Sequence, residues 1–332
     1  MADADWYDLT GNRGTPLGEC LFAATAAPSI HNTQPWLFRP VGDRIDVLVD
    51  RRRQLGALDP DGREMFVSVG AALFNLRVAV RAHGRETRTR LMPDPSEPDL
   101  VASVAVDSPA DPPASVTALA AAIPHRHTNR RPFTDQPVPY GTLEELTGAA
   151  AAEGATLLTV DPALRAGVLS LTRTAENRMR TDARYRAELA AWTTPGGIGR
   201  RDGVPRQAFG PRASRGALPL RDFSLGHGAP AATVDFEPDP TLILLFTAGD
   251  TAEDWLRAGA ALQRVLLTAT VRRLAATPLS QLIEVPGLRA LLADSVTGQV
   301  VQTVLRIGYP VTPALPTPRR PLEDVIVSAH GG

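Results

Sequence analysis

The chain has no lysine: all 35 of its basic residues are arginine. That absence excludes the phosphate-binding lysine of a P-loop and any lysine Schiff base. Cysteine is nearly absent as well. Cys20 stands alone, which rules out an intrachain disulfide, a CxxC redox pair and an iron–sulfur ligand set. Its apolar flanks within a helical run mark it as a core residue rather than a nucleophile. No uninterrupted apolar run approaches the roughly 18 residues of a membrane-spanning helix, and the acidic stretch Met1 to Leu9 lacks the apolar segment of a secretory signal. A cytoplasmic protein without a membrane partner is expected. Neither charge is in surplus: the formal net charge is −1, which gives no long-range attraction to nucleic acid. The histidines show no HxxxH pattern and no HxH pattern with a carboxylate, so no metal site is expected.

What the chain does have is apolar content, 43% of 332 residues, enough for a full core and about two units of ordinary domain size. Its most informative stretch is Ala27-Pro28-Ser29-Ile30-His31-Asn32-Thr33-Gln34-Pro35-Trp36. A helical run, Leu17 to Ala26, precedes it, and a hairpin of Trp36 to Pro40 and Ile45 to Val49 follows. Pro28 supplies no N–H and disfavours helix in the residue before it, so the helix stops and a loop begins. Ser29, His31, Asn32, Thr33 and Gln34 then offer donors and acceptors beside the flat ring of Trp36. Such a set suits a planar polar heterocycle, or the capping of local backbone.

The spacing of apolar residues predicts long helices over Met65 to His83, with Gly84 as C-cap, and over Ala252 to Ala275, with Asp250 as N-cap. Shorter helices are expected at Ser115 to Ile123, Thr142 to Ala152, Pro162 to Asn177 and Ala183 to Trp192. Strands are expected at Glu86 to Leu91, Leu100 to Val106, Gly154 to Val160, Thr241 to Thr247 and Val300 to Ile307. Arg51-Arg52-Arg53 reads as a solvated strand end in preference to an anion contact. His125-Arg126-His127-Thr128-Asn129-Arg130-Arg131 is denser: three Arg, two His, a Thr and an Asn within seven residues, with no carboxylate before Asp135. Guanidinium pairs of N–H groups match a phosphate, and a hydroxyl adds a donor.

The string A-P-S-x-x-N-x-Q-P-W at residues 27–36 resembles the loop with which FMN-dependent nitroreductase-like proteins touch their flavin. The resemblance implies FMN as cofactor and Pro28, Ser29, Ile30, Asn32 and Gln34 as contacts to it. Arg126, His127, Thr128 and Arg130 fall on positions of the family's R-x-S-x-R/K string, which holds the FMN phosphate. Thr replaces Ser here and one extra residue precedes Phe133, which leaves Arg130 and Arg131 interchangeable. Pro278, Leu279, Ser280 and Gln281 take the place of a family segment that runs along the flavin ring with an N–H near N5. Arg319 and Arg320 match the basic residues of its closing segment, near the phosphate. No catalytic side chain is assigned, since hydride chemistry at N5 belongs to the cofactor.

In the usual family the phosphate string comes first and the A-P-S loop second; here the order is reversed. Gly70-Ala71-Ala72-Leu73 recurs 189 residues later as Gly259-Ala260-Ala261-Leu262, each time inside a long apolar helix. The chain is similar in this to the Acg-type branch of the nitroreductase-like family, whose members are single chains with an internal duplication. The implied fold is α+β: two diverged halves, 1–113 and 114–332, with central mixed or antiparallel sheets flanked by long helices, imitating a homodimer in one monomeric chain. The first half supplies the loop and the second the phosphate string. A Gly- and Arg-rich insert, 193–236, with Arg200, Arg201 and His227, is long for an unstructured loop. It is read as a lid or as a surface loop. Two functions follow as expectations. One is NAD(P)H-dependent reduction of nitroaromatics or quinones, with a small-molecule electron acceptor and NAD(P)H as partners. The other is non-enzymatic sequestration of FMN behind the lid.

Overall fold

A computed structural model describes residues 14–193, 200–214, 218–224, 232–293 and 298–328. His227 of the insert lies outside them. The first helix, α1 (Pro16–Thr25), starts where the Thr15 hydroxyl accepts the Gly18 N–H and Pro16 takes the first helical position. After the loop come β1 (Trp36–Val41) and β2 (Arg44–Val49), then α2 (Arg63–Ala82), β3 (Arg85–Leu91) and β4 (Leu100–Pro109). The Asp59 carboxylate accepts the Glu64 and Met65 N–H groups of the first turn of α2. Gly84, at φ +77°, closes the other end as expected. Two helices, α3 (Ala114–Ala122) and α4 (Tyr140–Ala151), lead to β5 (Thr156–Thr159), α5 (Pro162–Thr181) and α6 (Ala183–Thr193).

Among the described residues of the insert, two residue pairs form strands, β6 (Arg212–Ala213) and β7 (Thr233–Val234). Next are β8 (Thr241–Thr247), α7 (Ala252–Val271), β9 (Ala275–Pro278), α8 (Gln281–Glu284) and β10 (Val300–Gly308). Two expectations fail around α7. Thr251, not Asp250, is the N-cap, through a reciprocal pair of bonds with Asp254. Asp250 instead accepts the Trp255 indole N–H and pairs with Arg289. The helix also stops at Val271, because Arg273 turns left-handed at φ 60°, and residues 275–278 become a strand.

Among the described residues, eight of the strands form two four-stranded sheets, β1-β2-β4-β3 and β5-β8-β10-β9, antiparallel throughout, while β6 and β7 pair in parallel. Each sheet carries a long helix between its second strand in chain order and its partner edge strand: α2 between β2 and β3, α7 between β8 and β9. Those two helices cross at their glycines. A Cβ on Gly70 would lie 2.2 Å from the Leu256 carbonyl oxygen, and one on Gly259 would lie 2.0 Å from that of Val67. The G-A-A-L repeat thus lets the two backbones touch. By length and composition α2 is the one described helix apolar enough to span a bilayer, but it is buried in the core. The apolar clusters are shared across the crossing: Leu256 packs with the β1–β4 sheet, and Val67 with the β5–β10 sheet.

The chain ends by returning to the first sheet. The Phe38 N–H donates to Val325 O at 2.7 Å and the Val327 N–H to Phe38 O at 2.9 Å, a parallel extension beside β1. Residues after α3 extend the second sheet in a similar manner: the Asn129 N–H donates to Ala276 O at 3.0 Å on β9. These two extensions bring residues 126–130 and 317–320 to the seam where the loop after α1 lies.

Candidate functional site

The loop after α1 is held in an unusual backbone path. His31, Asn32 and Gln34 all have positive φ, 45°, 55° and 52°. For side chains other than glycine such conformations cost about 1 kcal/mol or more each, so the surroundings must fix them. The Ser29 hydroxyl accepts the Gln34 N–H at 3.0 Å, and the Ile30 N–H donates to Ser68 Oγ on α2 at 3.1 Å. Asn32 and Gly203 exchange hydrogen bonds: the amide Nδ2 donates to Gly203 O at 2.9 Å and the Gly203 N–H to Asn32 O at 3.2 Å. Gln34 Nε2 donates to Arg201 O at 2.8 Å, and its Oε1 accepts the Arg320 N–H at 2.8 Å.

Two adjoining cavities open against this loop and share Pro28, Ser29, His31, Thr128 and Arg130 as walls. The smaller, about 460 Å³ counted out to its mouth, is lined further by Asn32, Arg126, His127 and Arg319, with no carboxylate among the described residues. The larger, about 770 Å³, continues past Ile30, Glu64, Ser68, Thr277, Pro278 and Ser280, and is walled on one side by Leu220, Arg221 and Phe223 of the insert. Residues 28–32, 126–128, 130, 278, 280 and 319 therefore line one pair of joined cavities.

Four of the expected contacts do not reach it. Gln34 and Arg320 are buried against each other; Arg320 also donates to Gln34 O and Asp324 O. They fasten the C-terminal segment to the loop. Leu279 is fully buried among Leu242, Phe246 and Val304, and its N–H is taken by Val304 O at 2.9 Å. Gln281 is buried too and donates to Pro219 O. The reason is alternation: where Pro278 and Ser280 face the cavity, their neighbours face the core. Arg131 lines neither cavity, whereas Arg130 lines both. His31, Glu64, Ser68, Arg221 and Phe223 are wall residues that no motif indicated. His31 stood inside the loop string, but nothing in its spacing set it apart. Arg221 and Phe223 lie in a segment with no periodicity to read.

The arginine end is electrostatically uncompensated. Arg319 Nε donates to Thr25 O at 2.8 Å and Arg126 to Ala26 O at 3.3 Å, so both guanidiniums sit on the C-terminal carbonyls of α1. A helix C-terminus offers only partial negative charge. Burial, with Arg319 adding to it, lowers Arg126 to about 9. Burial also lowers Arg319 to about 10 and, with help from Arg221, Arg130 to about 10. Arg126 Nε and both ring nitrogens of His31 are buried without a hydrogen-bond partner among the described residues. Such groups are costly to leave bare, and an anionic ligand would satisfy the Arg126 N–H and the one N–H of a neutral His31. Arg130 lies 4.5 Å from the centre of the Phe223 ring, and His31 meets the same ring edge-on at 5.6 Å.

The histidines give this end a pH signature. Burial, then Arg221 and Arg130, hold His31 far below the ordinary imidazole value of 6.5. Burial, then Arg126, Arg319 and His125, lower His127 to about 4. Between those values the unfolded chain binds more protons than the folded one, so stability must decrease as pH falls from 6.5 toward 4. Urea denaturation of the ligand-free protein should show this loss. It should be smaller in His127→Gln, and smaller when inorganic phosphate is added; an unchanged slope in both would contradict the assignment.

No family model matches the chain. Curated relatives do. "Putative NAD(P)H nitroreductase Rv3131" of Mycobacterium tuberculosis is 35% identical over 312 residues, covering 92% of this chain and 89% of its own. "Putative NAD(P)H nitroreductase acg" of the same organism is 30% identical over 314 residues, covering 91% and 92%. Among solved structures, iodotyrosine deiodinase bound to FMN and 3-iodo-L-tyrosine aligns over 64% of this chain and all of its own, at 19% identity and a TM-score of 0.42. A nitroreductase with bound FMN from Bacteroides fragilis aligns over 61% of this chain and 93% of its own, at 16% identity and a TM-score of 0.38. With relatives of this identity spanning nine-tenths of its length, the chain belongs to the nitroreductase-like family, in its Acg branch.

Proposed function

We propose that the protein binds one FMN in the seam between its two sheets and acts as an NAD(P)H-dependent oxidoreductase on nitroaromatic or quinone acceptors. The pair of joined cavities carries this reading. One end is cationic and free of carboxylates; the other is wider, with apolar walls and the hydroxyls of Ser29, Ser68, Thr277 and Ser280. A molecule with a dianionic phosphate at one end and an apolar, hydrogen-bonding ring at the other matches that gradient. Arg126, Thr128, Arg130 and Arg319 would hold the phosphate, with Asn32 fixing Arg319 through its Oδ1 at 3.2 Å. Pro28, Ser29, Ile30, Pro278 and Ser280 would border the ring. The flavin, when bound, supplies two-electron chemistry. The mycobacterial relatives named as NAD(P)H nitroreductases support the choice of reductant and acceptor.

We further read the chain as two copies of one ancestral subunit, joined near residues 113 and 114. The matching strand orders of the sheets and the reciprocal contact of Gly70 and Gly259 support this. On this reading the protein is a monomer with a single flavin, the loop coming from one half and the phosphate cluster from the other.

A second reading is sequestration of FMN without turnover. Its specific support is the insert. Leu220, Arg221 and Phe223 wall the larger cavity, and Arg221 is tied to Tyr185, Ser280 and Glu284. Anaerobic reduction separates the two. An oxidoreductase is expected to show a flavin spectrum that NADH or NADPH bleaches and a nitroaromatic or quinone restores. If dithionite bleaches the flavin and neither nicotinamide does, sequestration is the function. A colourless protein that ignores added FMN ends both readings.

A further inference from the structure

Glu64 sits in the first turn of α2, and Val67, Ser68 and Ala71, three, four and seven residues on, complete the face that α2 turns to the larger cavity. Its side chain is 13% exposed. Among the described residues, the carboxyls of Asp59, Glu64, Glu176 and Glu284 gather in this corner with the guanidiniums of Arg63 and Arg221, the latter near Arg130, and with the Tyr185 hydroxyl. Glu284 is fully buried against Arg221. Asp59 accepts two backbone N–H groups of α2, and Glu176 accepts the Asp222 N–H at 3.1 Å and faces Arg221. Glu64 has Arg63 alone, and Arg63 divides its donors between Glu64 and Gln302. Of the four, Glu64 is the one that lines the cavity.

We propose that Glu64 is the proton-exchanging residue of this cavity, taking up a proton when a flavin held there is reduced and returning it when the electrons leave. The inference rests on the flavin reading of the site. Two electrons and one proton entering the ring from NAD(P)H leave it one negative charge richer, and the Glu64 carboxylate takes a second proton from solvent. On reoxidation the electron pair leaves the ring with its proton as hydride. The Glu64 carboxylic acid gives its proton to the oxygen of the acceptor, so that a quinone leaves as a hydroquinone and Glu64 is a carboxylate again. Burial raises the Glu64 carboxyl to about 7, against the pull of Arg63 and with Glu284 and Asp59 adding to the rise, so both protonation states are within reach near neutrality.

Two measurements test this. In the flavin-free protein, infrared difference spectra across pH should contain a protonated-carboxyl band that disappears with a midpoint near neutrality. Glu64→Gln should lack it and Glu176→Gln should keep it. In the FMN-loaded protein, the pH dependence of the midpoint potential counts protons taken up per electron pair. Above about pH 7 the wild type and Glu176→Gln should take up one proton more than Glu64→Gln, and well below it the same number. Near-ultraviolet circular dichroism checks that each variant keeps its packing. Proton uptake that ignores Glu64→Gln, or a band that survives it, overturns the proposal while leaving the cofactor reading intact. A protein that takes up no FMN overturns the cofactor reading and the coupling with it.

Discussion

Gly259→Val is expected to abolish folded, soluble protein, and Gly259→Ala to cost about 3 kcal/mol, the upper range for overpacking. The atoms in the way are backbone: a Cβ there would lie 2.0 Å from Val67 O, 2.8 Å from Val67 C and 2.9 Å from Gly70 Cα. None can swing aside as a side chain does, so the two central helices would have to part. The gain of about 1 kcal/mol that alanine brings to a helix over glycine does not offset this. A loss of about 3 kcal/mol is a large share of the 5–15 kcal/mol by which domains are usually stable. Gly70→Ala should behave alike, since its Cβ would meet Leu256 O at 2.2 Å. Gly148 in α4 is the control: a Cβ there meets nothing within 4 Å, so Gly148→Ala should be neutral or slightly stabilising. Urea midpoints compare the variants directly. A Gly259→Ala protein as stable as Gly148→Ala would mean that the helices do not cross as described.

The second large effect is expected at Arg126, with opposite signs in the two states of the protein. Arg126→Met removes a buried cation that has another, Arg319, beside it. The ligand-free protein should lose no stability and is expected to gain some, because methionine keeps the bulk and sheds the charge. FMN binding should weaken roughly 10- to 100-fold, as expected for one charge-assisted bond to a phosphate worth about 1.5–3 kcal/mol. Riboflavin, which has no phosphate, should bind wild type and variant alike. Fluorescence titration with both flavins gives all four constants. If Arg126→Met weakens riboflavin as much as FMN, the residue supports the loop rather than the phosphate. Arg319→Met should weaken FMN similarly but destabilise the ligand-free protein, because Arg319 ties the carbonyls of Thr25, Ala26 and Ala27.

The sequence made much of this legible because its strongest signals were punctuation. Pro28, Gly84 and Pro162 mark ends and starts that hydrogen bonding alone dictates, and the expected elements lie within a few residues of the observed ones. The loop and the arginine cluster were legible as chemistry, since donors that dense without a carboxylate call for an anion. What stayed hidden was direction. Leu279 and Gln281 alternate away from the cavity, and Arg320 turns to Gln34 while Arg319 turns to the site. A one-residue difference in facing leaves no trace in composition. Thr251 and Asp250 were a similar case: both are good N-caps, and Asp250 was drawn off by Trp255 and Arg289, far along the chain. Glu64 could not be singled out, because its character comes from Asp59, Glu284 and Arg63 gathering around it in space.

The segment laid beside β1 fixes when the site can exist. Arg319 and the residues that pair with Phe38 leave the ribosome long after the loop at 28–34 and the arginines at 126–130. Until then the nascent chain has its loop and its first arginines but lacks Arg319 and the strip beside β1. A chain cut before Arg319 would therefore lack both, and should take up flavin poorly however much is supplied.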